Sequence, residues 1–177
     1  MIASDPGLVQ KPAIRWAPDH LFTHPDYRDL ILLYYTGITR VAKHILTDIV
    51  RGMLLNSSAH LGILAEMKNH AVQTYEAIQH HNWNDLAMAV RHSWELNQQL
   101  DPGTNPEQIS SIIKKIDPYM DSCKLLGAGG GGYLMIFSKD RRSADEIKTI
   151  LQKQPPNATA RFVDWKISSE GFTLTKS

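Results

Sequence analysis

The chain has 177 residues, with 19 Lys plus Arg against 18 Asp plus Glu and a formal net charge of +1, so there is no electrostatic case for nucleic acid or an anionic membrane as partner. Hydrophobic content of 42% and charged content of 21% are those of a folded globular domain and exclude wholesale disorder. Cys123 is the one cysteine, no apolar run reaches membrane-spanning length and no leader-like segment opens the sequence, which together read as a cytoplasmic protein with no intrachain disulfide.

Residues 1–29 hold four of the nine prolines and read as an N-terminal arm, or a remnant of a preceding lobe, with Ala13–Trp16 as a short strand. His20 and His24 have a metal-like spacing for a helix, but Pro25 argues against that helix and leaves a surface pair. The domain proper is expected over 30–177. Residues 30–36, Leu-Ile-Leu-Leu-Tyr-Tyr-Thr, are a continuous apolar run and predict a central strand covered on both faces. Gly37 ends it. Ile38, Val41, Ile45, Ile49 and Met53 then mark an amphipathic helix. Arg40 falls in its first turn, where a cation opposes the helix dipole; this hints at a partner anion, although a solvated arginine is the simpler reading.

Ser57 or Ser58 is expected to cap a second helix with Leu61, Leu64, Ala71, Tyr75 and Ile78 along one face and His80-His81 at its end. Adjacent histidines on a helix point about 100° apart, and no ligand-spaced cluster accompanies them, so no structural zinc is predicted. Asn82 opens a third helix with Leu86, Ala89, Val90, Trp94 and Leu100 buried. After the turn Asp101-Pro102-Gly103-Thr104, Asn105 caps a fourth, with Pro106 at its first position and Ile109, Ile112, Ile113 and Ile116 inward.

Lys124 to Phe137 follow, with apolar runs on either side of a loop in which five of the 11 glycines fall within six residues. Such a cluster needs positive φ angles, close approach of a ligand or close packing of another backbone, and arrays of bare N–H groups suit phosphate. Gly127-x-Gly129-x-x-Gly132 matches a dinucleotide fingerprint, but Tyr133–Phe137 reads as a strand where that fingerprint requires a helix. No Gly-Lys-Ser/Thr follows, which excludes a Walker loop. Five glycines exceed what a two-residue hairpin turn needs, so a ligand-facing loop takes precedence over a plain turn. Ser143-Ala144-Asp145-Glu146 is a capping box for a helix with Ile147, Ile150 and Leu151 inward. Residues 160–167 alternate as a half-exposed strand with Val163, Trp165 and Ile167 on one face, and Phe172–Thr175 form a final edge strand. Clustered strands and clustered helices make this an α+β chain, with an antiparallel or mixed sheet carrying helices on one face.

Lys124-Leu125-Leu126-Gly127-Ala128-Gly129-Gly130-Gly131-Gly132 resembles the glycine-rich C-terminal motif of the GHMP kinases, which are ATP-dependent small-molecule kinases. Leu33–Arg40, Arg51-Gly52-Met53, Trp94–Asn97, Gly103–Pro106 and Ala160–Asp164 resemble the L-fucokinase branch, whose kinase in some organisms forms the C-terminal part of a bifunctional protein that also makes GDP-fucose. Heptose-phosphate kinases share the Tyr-Thr-Gly and glycine-loop blocks and are the alternative. The resemblance covers roughly 30–177 and implies a ferredoxin-like C-terminal lobe in which Gly127, Ala128, Gly129, Gly130, Gly131 and Gly132 build a phosphate-side wall. Thr36, Gly37 and Arg40 would then lie near the sugar. The implied cofactors are ATP and Mg²⁺. The catalytic residues and the phosphate loop of Gly-Leu-Gly-Ser-Ser type would belong to an N-terminal lobe, and that motif occurs nowhere in the 177 residues.

The expectation is therefore half of a kinase that phosphorylates L-fucose at its anomeric hydroxyl, inactive by itself, with an exposed lobe interface open to homo-oligomerisation. A stand-alone binding or assembly module that kept the fold and lost the chemistry is the reading from another class.

Overall fold

The computed structural model describes residues 1–3, 11–38, 42–55, 57–127 and 129–168, the side chains of 42–46 and 48 apart. A two-strand ribbon, β1 (Ile2–Ala3) with β2 (Ala13–Ile14), precedes two helical turns, α1 (His20–Thr23) and α2 (Pro25–Arg28). Pro25 starts α2, and His24 accepts at Nδ1 from the Asp26 N–H. No single helix therefore joins His20 to His24, although their rings meet at 4.6 Å.

The domain is built as β3 (Ile31–Tyr35), α3 (Ala42–Leu54), α4 (Ser58–Gln79), α5 (Trp83–Leu100), α6 (Glu107–Ile116), β4 (Met120–Leu125), β5 (Tyr133–Ser138), α7 (Arg141–Lys153) and β6 (Arg161–Phe162). The sheet order is β4-β5-β3-β6, and every neighbouring pair is antiparallel. With helices α3 to α6 between β3 and β4 and α7 between β5 and β6, that is the split β-α-β arrangement of a ferredoxin-like fold. The fold expected from the resemblance is borne out. No helix among the described residues is long and apolar enough to cross a membrane.

Strand alternation decides what faces what. Leu32, Tyr34, Cys123, Leu125, Leu134 and Ile136 meet Ile109, Ile112 and Ile116 of α6 and Ala144, Ile147 and Leu151 of α7, with Trp94 of α5 at the edge. On the other face Ile31 and Phe137 are covered by Leu21 of α1, Ala77 of α4 and Leu86, Ala87 and Val90 of α5, so helices pack on both faces of the sheet and not on one as expected. Beyond that end the face is open: Phe22, Leu33, Leu126, Met135, Trp165 and Ile167 line an apolar groove. The expected two-sided cover of the central strand thus holds only at its Ile31 end.

Four local expectations are corrected. Helix α4 buries His70 and Ala77, whereas Leu61 and Ala71 are exposed. A histidine can occupy that inner face because its Nε2 is 2.8 Å from the Ala89 carbonyl of α5. Pro106, not Asn105, caps α6, since the Asn105 carboxamide instead donates to Gln98 Oε1 at 2.8 Å. Asp140, not Ser143, caps α7: its carboxylate accepts from the Ser143 N–H at 2.7 Å, which holds that carboxyl below the usual range. The 160–167 strand is ladder-paired only at Arg161–Phe162, although Val163 still donates to the Leu33 carbonyl. The Phe172–Thr175 strand expectation lies outside the described residues.

Candidate functional site

The glycine loop joins β4 to β5 at the sheet end where β3 finishes. Leu126 N–H donates to the Tyr133 carbonyl, and Thr36 N–H donates to the Gly132 carbonyl, so the ladder continues past the strands on both sides of the loop. Gly127, Gly129, Gly130 and Gly132 have φ between 76° and 88°, and Gly131 lies at 156°. Side chains rarely adopt such backbone, so positive φ is one of the reasons for the cluster.

A second reason is backbone packing. A Cβ on Gly131 would lie 2.3 Å from the Ile38 carbonyl oxygen, and one on Gly129 would lie 2.4 Å from Thr104 Cγ2 and 3.0 Å from the Thr104 Cα. The same two neighbours accept hydrogen bonds from the loop: Gly130 N–H donates to the Thr104 carbonyl at 2.7 Å and Gly132 N–H to the Ile38 carbonyl at 2.9 Å. The loop is therefore clamped between the turn after β3 and the turn between α5 and α6.

Buried Thr36 holds the first of these turns together. Its hydroxyl donates to the Gly132 carbonyl at 2.9 Å and accepts from the Ile38 N–H at 3.2 Å. Gly37 follows at φ 66°, and Asn157 lies where its Cβ would be and donates through Nδ2 to the Thr36 carbonyl at 2.8 Å. The second turn is fixed by Asp101, which accepts from Gly103 N–H at 2.6 Å, and by the Thr104 hydroxyl, which donates to the Asn97 carbonyl. On the β4 side, Lys124 donates to Ser93 of α5, and Arg91 donates to the Asp121 carbonyl. Burial pushes the Lys124 ammonium pKa down.

Thr36 and Gly37 are thus brought against the glycine loop. Arg40 and Ala128 lie outside the described residues. Gly37 and Ile38 are not helical, and α3 is described from Ala42 onward. Two contributors escaped sequence reasoning as site residues. Thr104 sits in a stretch whose Asp-Pro-Gly signals only a turn, and Asn157 follows two prolines that signal only a helix end.

What the loop offers a ligand is limited and specific. The N–H groups of Gly127, Gly129 and Gly131 donate to no acceptor among the described residues. At Gly127 and Gly132 an added Cβ would meet nothing within 4 Å, so the loop has an open side. Bare N–H donors beside open space fit an anionic phosphate. The fit for a metal is different: among the described residues no group of three His, Cys, Asp or Glu could hold one.

Residues 74–157 match the family model described as GHMP kinases C terminal. All 177 residues align at 49% identity with the L-fucokinase/L-fucose-1-P guanylyltransferase of Bacteroides fragilis, covering 19% of that protein. The bifunctional fucokinase/GDP-fucose pyrophosphorylase of Arabidopsis thaliana is 28% identical over 77% of this chain and 13% of its own length. The chain thus spans a fifth or less of these relatives. Among solved structures, the mevalonate kinase of L. major in complex with R-mevalonate superposes with a TM-score of 0.62 at 20% identity, over 75% of this chain and 41% of that one, a likeness of fold.

Proposed function

We propose that the chain carries a GHMP kinase C-terminal domain, a reading supported by the match over residues 74–157 and by the 49% identity to a protein named for L-fucokinase activity, and that it is the C-terminal lobe of an ATP-dependent sugar kinase acting on the anomeric hydroxyl of L-fucose. The observation that carries this reading is the clamped glycine loop, with three N–H groups left over for an anion beside the Thr36–Gly37 turn. The 49% identity to a protein named for fucokinase activity supports L-fucose as the sugar.

Bound ATP supplies the phosphoryl group. In phosphoryl transfer the protein contributes positioning and electrostatic stabilisation. Here Gly127, Gly129 and Gly131 would donate to phosphate oxygens. Thr36 and Gly37 would shape the sugar side, with Arg40 as a further sugar-side residue. Gly130 and Gly132 play another part, since their N–H groups hold the loop to its two supports. The hydroxyl-orienting group and Mg²⁺ ligands are assigned to the preceding lobe.

The test is ADP release from ATP·Mg²⁺ by the complete polypeptide that contains this segment, with L-fucose and with a heptose 7-phosphate as parallel substrates. Turnover with L-fucose and a product phosphorylated at the anomeric position is expected, and none from the 177-residue chain alone. Turnover with the heptose phosphate only would move the assignment to the other branch. Turnover with neither would favour a non-catalytic module, and robust turnover by this chain alone would remove the need for a second lobe.

A further inference from the structure

Asn157 lies in the loop between the end of α7 and the start of β6, and its carboxamide bonds on both its oxygen and its nitrogen side. Oδ1 accepts from Thr159 N–H at 3.0 Å, Thr159 Oγ1 at 2.8 Å and Ala160 N–H at 3.0 Å. Two of those donors are backbone N–H groups, which fixes the oxygen on that side and turns Nδ2 to the Thr36 carbonyl at 2.8 Å. The contact joins residues 121 apart in sequence. Gly37 is its complement: a Cβ there would lie 2.0 Å from Asn157 Oδ1 and 2.7 Å from its carboxamide carbon.

The opposite side of the same peptide segment faces the glycine loop. Thr36 N–H and Oγ1 both donate to the Gly132 carbonyl, and Ile38 accepts from Gly132 N–H. Residues 36–38 are therefore held between Asn157 on one side and Gly132 on the other. We propose that Asn157 is a positioning residue for the glycine loop, acting through Thr36 and Gly37. Its donor fixes the Thr36 carbonyl, which sets the direction of the Thr36 N–H and hydroxyl and hence the height of Gly132. The consequence for catalysis rests on the loop being the phosphate-side wall; the positioning itself does not.

Asn157→Asp separates the two. It keeps acceptors for Thr159 and Ala160, removes the one donor, and sets a carboxylate oxygen against the Thr36 carbonyl. Amide hydrogen exchange in the 177-residue chain is the first readout. Exchange at Thr36, Gly130 and Gly132 is expected to quicken about tenfold, with Ile147 and Leu151 in α7 unchanged. Gly37→Ala, which displaces the carboxamide without altering it, is expected to quicken the same amides.

The second readout is the KM for ATP of the complete polypeptide, expected to rise several-fold in Asn157→Asp with a smaller change in kcat. Unchanged exchange at Thr36 and Gly132 in both variants overturns the proposal. So does acceleration spread equally through α7, which would make Asn157 a merely structural residue. Faster exchange confined to the loop with unchanged KM for ATP sustains the positioning and counts against the phosphate-side reading of the loop.

Discussion

The Thr36 hydroxyl donates to the Gly132 carbonyl at 2.9 Å, across 96 residues of sequence, and so ties the end of the central strand to the end of the glycine loop. Thr36 is fully buried, so removing the hydroxyl leaves no water to replace it. Thr36→Val keeps the shape and leaves the Ile38 N–H without its acceptor. A loss of roughly 1–3 kcal/mol is expected in urea unfolding of the chain, with most of it restored in Thr36→Ser. Equal stability of the Val and Ser variants would show that the hydroxyl's bonds contribute little.

Two residues before it, on the same face of the strand's alternation, Tyr34 makes the contrary case. Its ring is buried against Phe162 at 4.8 Å between centroids, while its hydroxyl is buried with no partner among the described residues. Burial accordingly raises its pKa. An unpartnered buried hydroxyl costs stability that an apolar replacement does not. Tyr34→Phe is therefore expected to be neutral or to stabilise by about 1 kcal/mol in the same urea titration. A loss of stability would reveal a partner for that hydroxyl.

Cys123 gives the pH dependence. Burial first, and Asp117 nearby second, push its thiol up from 9.0 to about 12. In the unfolded chain the thiol ionises near its ordinary value, so between about pH 9 and pH 12 the unfolded state loses a proton that the folded state keeps. The stabilising difference is complete below that window and is lost as pH rises through it. The folded chain should resist iodoacetamide at pH 8, where only the thiolate reacts, and become labelled in urea. Cys123→Ala should flatten the fall in stability above pH 9, and an unchanged fall would assign it to other groups.

How much of this was legible beforehand follows from how local each signal is. The buried stripes of α5 and α6 were readable because Leu86, Val90 and Trp94, and Ile109, Ile112 and Ile116, recur at helical spacing and do face the core. Face assignment failed in α4, where a histidine whose partner lies on another helix takes an inner position. Cap assignment failed at α7, where Asp140 and Ser143 are both good caps three residues apart and only the chain's path chooses between them. The glycine loop announced itself by composition. Its supports did not, because Thr104 and Asn157 meet it through contacts that have no periodicity and no local signature.

The five glycines themselves are not equivalent, and the difference can be measured. At Gly131 an added Cβ collides with the Ile38 backbone, which cannot swing aside because its carbonyl also accepts from Gly132 N–H. At Gly129 the collision is with Thr104, partly side chain and partly backbone. At Gly127 there is open space and only the positive φ to oppose an alanine. Gly127→Ala should therefore cost about 1 kcal/mol, the strain of a left-handed backbone alone, and Gly131→Ala about 2–4 kcal/mol as the loop is forced off its support. Activity should follow a different order. Gly129→Asp adds a negative charge where phosphate is proposed to approach, and is expected to abolish turnover of the complete polypeptide even where the fold survives. Urea midpoints and ADP release measured on the same three variants decide the matter. Activity that merely tracks stability across them would make the loop a structural turn, whereas loss of activity in Gly129→Asp beyond its loss of stability would mark the phosphate side.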